Sequence, residues 1–582
     1  MSKAVLRFAF SPVQSFIAEA RRTSDLFAGS RILAELASAA AQSIRASGGE
    51  LVFPASLDGN RHDMPNVIVA VVPWEQVERI AEEAESALRG RWDELAEEAK
   101  RTLSRLGPVD RHWDETWHRQ VEHLWEVYWA AARLDGSYRE AFRRAAAAVA
   151  SAKRLRPFAQ VEEPGIKDSL SGSRSALCTE RLGANEYWQQ VRHAQRGVGV
   201  LGKHERLDAV GSVKRFSGLG REESFPSLPT IAARPFLQHA ETQASQALEA
   251  YARALAELFQ ACQVDPRRMR RRASERFPYD GGFLFPNRLE RLALAEELDV
   301  TEDRIPEPER AAALRALQSL YREARWPSGP SPYVAVLVLD GDSMGARIDA
   351  LLEGTDPPEA HREFSEKLAT FAAKVRELEK DFPRVEVVYN GGDDVLALAP
   401  AQDALGFARR AAHAFHEETG GSASAGTAVA HWLQPLGDAL KAARRAEGMA
   451  KQVTGKGAVC IELQRRSGEV TTVRAKWTHL EHLDIASLVE LFQVNRLSGR
   501  LPYALRESAR AFTGTGPAFE AVVKRVVARQ GNWPDGSAPE RETLVTRLTS
   551  FASALDGAGL AGAEELVGWL VVARFLAAGG EE

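Results

Sequence analysis

Val385-Glu386-Val387-Val388-Tyr389-Asn390-Gly391-Gly392-Asp393-Asp394-Val395-Leu396-Ala397-Leu398 places two short apolar runs, rich in β-branched residues, on either side of Asn-Gly-Gly-Asp-Asp. This pattern predicts a β-hairpin closed by a tight glycine turn. Glycine tolerates positive φ and leaves room for a ligand to approach the backbone. Two adjacent aspartates at the tip repel one another unless positive charge sits between them. Hard carboxylate oxygens favour Mg²⁺ or Mn²⁺ over zinc for that role. The plain alternative is a solvated turn, since Gly and Asp are ordinary turn residues.

A second stretch upstream bears on the choice. Tyr333-Val334-Ala335-Val336-Leu337-Val338-Leu339 is a near-continuous apolar run and predicts a buried strand. It ends in Asp340-Gly341-Asp342-Ser343-Met344-Gly345, where a helix is expected to begin. A helix over 358–379 then leads to the hairpin, giving strand–helix–hairpin order. That is the opening of a β-α-β-β-α-β, or ferredoxin-like, palm. An aspartate at the exit of a buried strand, beside a hairpin tipped with two more, is what two-metal nucleotidyl transfer requires.

Asp-Gly-Asp-x-Met-Gly followed by Tyr-x-Gly-Gly-Asp-Asp resembles the polymerase-cyclase palm in the large subunit of type III CRISPR effector complexes, a distant relative of GGDEF diguanylate cyclases. The next segments agree: Ser424 to His431 as a strand, Pro435-Leu436, and a helix from Asp438 to Lys451. The stretch Phe10-Ser11-Pro12-Val13-Gln14-Ser15-Phe16-Ile17, continuing to Asp25-Leu26-Phe27-Ala28-Gly29-Ser30, is similar to the opening of the Cmr-type (III-B) member. The resemblance runs over roughly residues 4–460 and is specific in the combination of its motifs.

The chain has 582 residues, 45% of them apolar, a net charge of −5 and three widely spaced cysteines, Cys178, Cys262 and Cys460. That length predicts roughly three to five domains. No run of eighteen apolar residues predicts a membrane span, and Val5–Phe10, interrupted by Arg7, is too short for a signal core. A cytoplasmic protein is the expectation. Without a Cys-x-x-Cys pair, neither a disulfide framework nor a cysteine-rich zinc site is expected. The acidic balance does not mark a stand-alone nucleic-acid binder.

At the N-terminus, 4–10 predicts a strand, and Ser11-Pro12 starts a helix with Ser11 as N-cap. Gln14 falls near the start of that helix and Arg21 about two turns on. A second helix is expected over 31–47, then strands over 50–54 and 66–72. This repeats the later strand–helix–hairpin order and predicts an internal duplication. Where the second hairpin has Gly-Gly-Asp-Asp, the first has Ser56 to Pro65, so the first palm lacks metal carboxylates and is expected to bind a nucleotide. Helix N-termini favour phosphate, which makes Ser11 and Gln14 its candidates, with simple capping as Ser11's alternative. Long helices are expected over 74–106 and 111–154. His112, His118 and His123 with Trp113, Trp117, Trp125 and Trp129 do not share one helical face and read as packing. His62-Asp63 invites comparison with HD phosphohydrolases but sits in a polar loop, so an HD nuclease domain is expected to be absent. Pro266 to Arg272 is the strongest basic cluster, read as a solvated face or a contact to RNA or to another subunit.

The fold class expected is α+β: two ferredoxin-like palm domains with helical insertions and a C-terminal helical bundle. The boundaries are 1–160 for the first palm, 161–225 for a zinc-finger-like remnant, 226–325 for a helical domain, 326–465 for the second palm and 466–582 for the C-terminal helices. In the remnant, Asp168 and Ser171 stand where many members of the resembling family carry cysteines, so no structural zinc is expected. Expected C-terminal helices span 483–492, 503–512, 518–530 and 541–576, on a bundle that docks another subunit.

The resemblance implies a nucleotidyltransferase that joins ATP into cyclic oligoadenylate, with CRISPR RNA, target RNA and the other Cmr subunits as partners. Asp340, Asp393 and Asp394 are the implied catalytic and metal-holding side chains, with the Gly341 carbonyl as a further ligand. Gly391 and Gly392 allow close approach, Ser424 contacts adenine or ribose, and Lys451 offsets phosphate charge; a lysine at a helix C-terminus also satisfies the macrodipole by itself. A GGDEF-like diguanylate cyclase and a catalytically silent scaffold of the RNA-guided complex are the other readings.

Overall fold

The computed structural model describes residues 2–57, 63–155, 163–195, 201–220, 225–271, 273–354, 356–509 and 514–580. Its first domain runs β1 (Lys3–Ser11), α1 (Gln14–Ala18), α2 (Thr23–Ala46), β2 (Glu50–Phe53), β3 (Val67–Pro73), α3 (Val77–Ser104), α4 (Arg111–Glu122), β4 (Glu126–Arg133) and α5 (Tyr138–Arg154). The antiparallel strand order β2-β3-β1-β4 is that of a ferredoxin-like unit.

Three expectations for this domain need correction. Ser11 is the last residue of β1, not an N-cap; Val13 precedes α1 and caps nothing. Helix α1 is five residues long, so Arg21 lies outside it, and α2 begins at Thr23 rather than near 31. The Asp25 carboxylate makes that early start, accepting from the Arg21 and Arg22 N–H groups at 2.9 and 3.0 Å. Finally, β4 interrupts the helix expected over 111–154. It pairs along β1 from Ala4↔Arg133 to Ser11↔Glu126, so the open edge of β1 overrides the helix propensity of its alanines. The tryptophans do pack: Trp113 and Trp117 stack at 5.1 Å and are buried.

Helices α6 (Ala184–Ala194) and α7 (Ala209–Phe216) follow. The Asp168 carboxylate accepts from the N–H groups of Leu170, Ser171 and Gly172 and from the Ser171 hydroxyl, which closes this loop by hydrogen bonds. Arg215 on α7 pairs with the buried Asp25 and with Glu205, tying α7 to α2. Next, α8 (Leu228–Gln243), α9 (Ser245–Ala261), α10 (Arg291–Leu298) and α11 (Glu307–Glu323) enclose a core that includes Phe236, Leu255, Phe259 and Leu317.

The second palm comprises β5 (Tyr333–Gly341), α12 (Met344–Leu351), α13 (Pro357–Asp381), β6 (Glu386–Gly391), β7 (Asp394–Pro400), α14 (Ala401–Thr419), β8 (Ala423–His431), α15 (Leu436–Lys451), β9 (Ala458–Gln464) and β10 (Val470–Lys476). Its order, β10-β9-β8-β5-β7-β6, contains the same four-strand unit extended by two strands, so the sheet passes residue 465. Then come α16 (Leu480–Leu483), α17 (Ile485–Gln493), α18 (Leu501–Ala509), α19 (Pro517–Gln530), α20 (Ala538–Gly557) and α21 (Gly562–Ala577). The helix expected over 541–576 is thus two, parted by Gly559 at φ +76. These helices share one core with the second sheet, as Phe575 against Tyr333 at 4.7 Å shows.

The two palms pack reciprocally: α13 lies on β2, and α2 lies on β6. Side chains lock the joint. Tyr138 Oη meets His361 Nδ1 at 3.1 Å, Arg143 pairs with Asp349 at 2.8 Å, and Asp63 pairs with Arg376 at 2.7 Å. His62 lies outside the described residues. On the face turned to the first palm, α15 crosses β8 at Gly426, where a Cβ would strike the Glu447 nitrogen and the Ala443 carbonyl.

Two outcomes follow for stability. Burial, with Arg7 adding to it, pulls His361 down to about 4. A depressed histidine stabilises the fold above its unfolded value and loses that contribution as pH falls from about 6.5 to about 4, at most about 3 kcal/mol. Urea titrations at both ends of that window should show His361→Phe losing less stability on acidification than the parent. Gly426→Ala should lower the urea midpoint by an amount equivalent to about 1–3 kcal/mol, the usual cost of overpacking.

Candidate active site

Strand alternation sorts the second sheet into two faces. Leu337, Leu339, Val395 and Ala397 point into the core under α13 and α14, whereas Val336, Leu396 and Leu398 point to the first palm. Asp340 and Asp394 continue the second row and therefore face the first palm. The register pairs Leu339 with Val395 and Asp340 with Ser424, so one further step along the ladder sets Asp340 beside Asp394. Gly341 closes the approach on the other side: a Cβ there would lie 3.0 Å from the Asp393 Cβ and 2.8 Å from the Phe415 ring.

The hairpin tip is held from both sides. Gly391 pairs with Asp394 across the turn, and Gly392 takes φ +79. Asn390 is fully buried and donates to the Ala372 carbonyl at 2.6 Å, pinning the tip to α13. From the first palm, the Phe53 ring lies 3.6 Å from where a Gly392 Cβ would be. Burial raises the proton affinity of both tip carboxyls above the ordinary aspartate value; the Asp394 charge adds to this at Asp393, while Arg444 opposes it at Asp394. Crowded carboxylates of this kind are stabilised by a cation.

Helix α15 brings the counter-charges. Lys451, its last residue, makes ion pairs with Asp340 and, at 2.7 Å, with Glu447. Arg444 carries the opposing charge at Asp394 and donates to the Gln14 carbonyl at 3.2 Å, so it spans the two palms. Residues 444, 447 and 451 share one helical face at three- and four-residue spacing, a signal present in the sequence.

The candidates therefore separate. Asp340, Gly341, Gly391, Gly392, Asp393, Asp394 and Lys451 converge, and Gln14 reaches the same region through its backbone. The Ser11 hydroxyl lies at the end of β1 and is engaged within the first palm, donating to Glu126 at 3.1 Å. Ser424 is fully buried and its hydroxyl donates to Asp342 at 2.8 Å. Sequence reasoning passed over Asp342, which also accepts from the Ser422 hydroxyl at 2.7 Å and the Gly457 N–H at 2.9 Å. It ties the exit of β5 to β8 and to the loop before β9. Its place two residues after Asp340 was the available clue.

Among the described residues, no three His, Cys, Asp or Glu side chains form a preformed cation cage. The donors at the tip are nonetheless all hard oxygens, and Mg²⁺ usually binds one or two carboxylates together with waters and substrate phosphates. The residues fit such an ion on that basis.

Comparison with known proteins agrees with this architecture. The family described as Cas10/Cmr2, second palm domain, matches residues 333–460, and the CRISPR-associated protein Cmr2, N-terminal family matches 5–97. The Cmr subunit Cmr2 of the CRISPR system of Pyrococcus furiosus is 30% identical over 214 residues, which span 32% of this chain and 23% of that protein. In fold, the chain is similar to a chain of the type III-B Cmr-beta complex in its apo state, with a TM-score of 0.63 at 12% identity over 96% of this chain and 82% of that one. The same complex bound to cognate target RNA gives 0.60 at 13% identity, over 91% and 78%. No helix among the described residues is long and apolar enough to cross a membrane. The two domain matches fall on the two palms described above, so each palm is similar to the corresponding domain of Cas10/Cmr2 proteins, and the chain spans about a quarter of the length of the curated relative it matches.

Proposed function

We propose that this chain is the nucleotidyltransferase subunit of a type III-B RNA-guided antiviral complex, joining ATP into cyclic oligoadenylate when target RNA is bound. One observation carries the chemistry: Asp340 and Asp394 stand side by side at one end of the second sheet, on the face turned to the first palm, with Asp393 next to them at the hairpin tip. The two Cmr2 domain matches and the likeness in fold to a Cmr-beta complex bound to target RNA support the partners, namely CRISPR RNA, target RNA and other Cmr subunits.

Asp393, Asp394, Asp340 and the Gly341 carbonyl would hold Mg²⁺ or Mn²⁺, which supplies charge neutralisation for a triphosphate and lowers the pKa of an attacking hydroxyl. The chain's own groups do the rest. Gly391 and Gly392 leave the tip open to a phosphate. Lys451 and Arg444 bring positive charge to the same end, where a triphosphate would take over part of Lys451's pairing with Asp340 and Glu447. A second ATP lies against the first palm near Gln14 and Phe53, where it presents its ribose hydroxyl. Because both palms belong to one chain, no homodimer is needed, which separates this reading from a diguanylate cyclase. A silent scaffold is the second reading, favoured only by the Asp340–Lys451 ion pair, which gives Asp340 a structural use.

The assembled complex should convert radiolabelled ATP to oligoadenylate with Mg²⁺ or Mn²⁺ when complementary RNA is present. Asp393→Asn/Asp394→Asn should cut that rate by about 100-fold or more, the scale of losing one group that stabilises transition-state charge, with RNA binding intact. Equal product from parent and variant, or product from GTP alone, would sink the assignment.

A further inference from the structure

Away from the aspartates, a cleft of about 1700 Å³ opens between the α1–α2 link, the loop before α7, residues 263–271, the turn after α10 and the start of α15. Small-molecule pockets hold about 300–1,000 Å³, so this cleft is sized for a length of chain. Most of its carboxylates are already engaged. Asp25 is taken by Arg215, Glu19 by Arg174, Glu297 by Arg288 and Asp299 by Arg192. Asp168 and Asp280 accept backbone N–H groups.

The cations are not balanced in the same way. Arg21, Lys203, Arg268, Arg271 and Arg304 all line the cleft, come from four segments around it (Arg268 and Arg271 share one), and have no ion-pair partner among the described residues. Arg271 also stands close enough to Arg22 to oppose its charge. Five uncommitted cations around one opening, in a chain of net charge −5, are a local field that repeated negative charge would relieve. A single phosphate would meet only one or two of them. A phosphodiester strand would meet them in succession, as electrostatic grooves for single strands do.

The geometry points to this cleft as the seat of a single-stranded nucleic-acid backbone, held by Arg21, Lys203, Arg268, Arg271 and Arg304. The inference leans on the RNA-guided part of the proposed function but not on nucleotidyl transfer. One end of α15 forms part of the cleft, through Pro435 to Lys441, and the other carries Lys451 to Asp340.

The test is fluorescence anisotropy on the full chain with labelled oligouridylate, and with oligothymidylate to identify which backbone is held. Arg268→Glu/Arg271→Glu should weaken binding at least about tenfold. It should also flatten the salt dependence by roughly 1.4 log units per log unit of salt, about 0.7 for each of two lost phosphate contacts on a single strand. Arg304→Glu, exposed on another element, should weaken binding with an unchanged melting temperature, which separates a lost contact from misfolding. Asp393→Asn/Asp394→Asn and Arg525→Glu, in the C-terminal helices, should bind like the parent, so a failure of the nucleotidyl-transfer reading would not be mistaken for a failure here. Parent-like binding by the cleft variants, or no binding of either oligonucleotide by the parent at about 50 mM salt, would overturn the proposal; the latter would leave the cleft to an acidic protein surface.

Discussion

Phe8, Phe10 and Leu36 of the first palm and Val336, Leu396 and Leu398 of the second lie in one continuous buried apolar layer. Burial of that layer, the largest favourable contribution in such an interface, holds the two sheets in a fixed relation, with α15 between them. Gly426 lets α15 rest directly on β8. The candidate site is a consequence: Asp340 and Asp394 stand on the same sheet face as this layer, just beyond its edge.

At that edge, charge takes over from apolar packing. The tip carboxyls are half-buried beside one another, and α15 supplies Arg444 and Lys451 against them. Asp342 works differently. It is buried and saturated by two hydroxyls and an N–H, so it serves as a strut for the β5 exit. A buried carboxylate persists in that setting because its oxygens are hydrogen-bonded. The two neighbouring aspartates of one short motif thus carry opposite duties, one open to exchange partners and one fixed.

The palms share a topology but have diverged at their tips. In the second, a two-glycine turn presents carboxylates. In the first, the longer loop spends Asp63 on Arg376 of the second palm, and Ala55 N–H donates to Ser365 at 2.9 Å. The residues around the first tip are therefore spent on α13 of the second palm.

The second palm was legible in detail because its signals are local. Period-two alternation, the Gly-Gly turn and the apolar run ending at Asp340 each specify an element from a few adjacent residues. The repeat of strand, helix and hairpin near the N-terminus likewise announced the duplication. What the sequence hid depends on partners distant in the chain. Glu126–Arg133 has helix-forming alanines and becomes a strand only because β1 offers it an edge. Ser11 and Ser424 looked like ligand contacts by position, yet Glu126 and Asp342 claim their hydroxyls. Arg444 meets Gln14 across more than four hundred residues. The sequence by itself determined the two palms and the three aspartates, since those follow from neighbouring residues. Only the tertiary structure decided which polar side chains remain free for chemistry, because a hydrogen bond already made inside the fold removes a group that its position alone would offer.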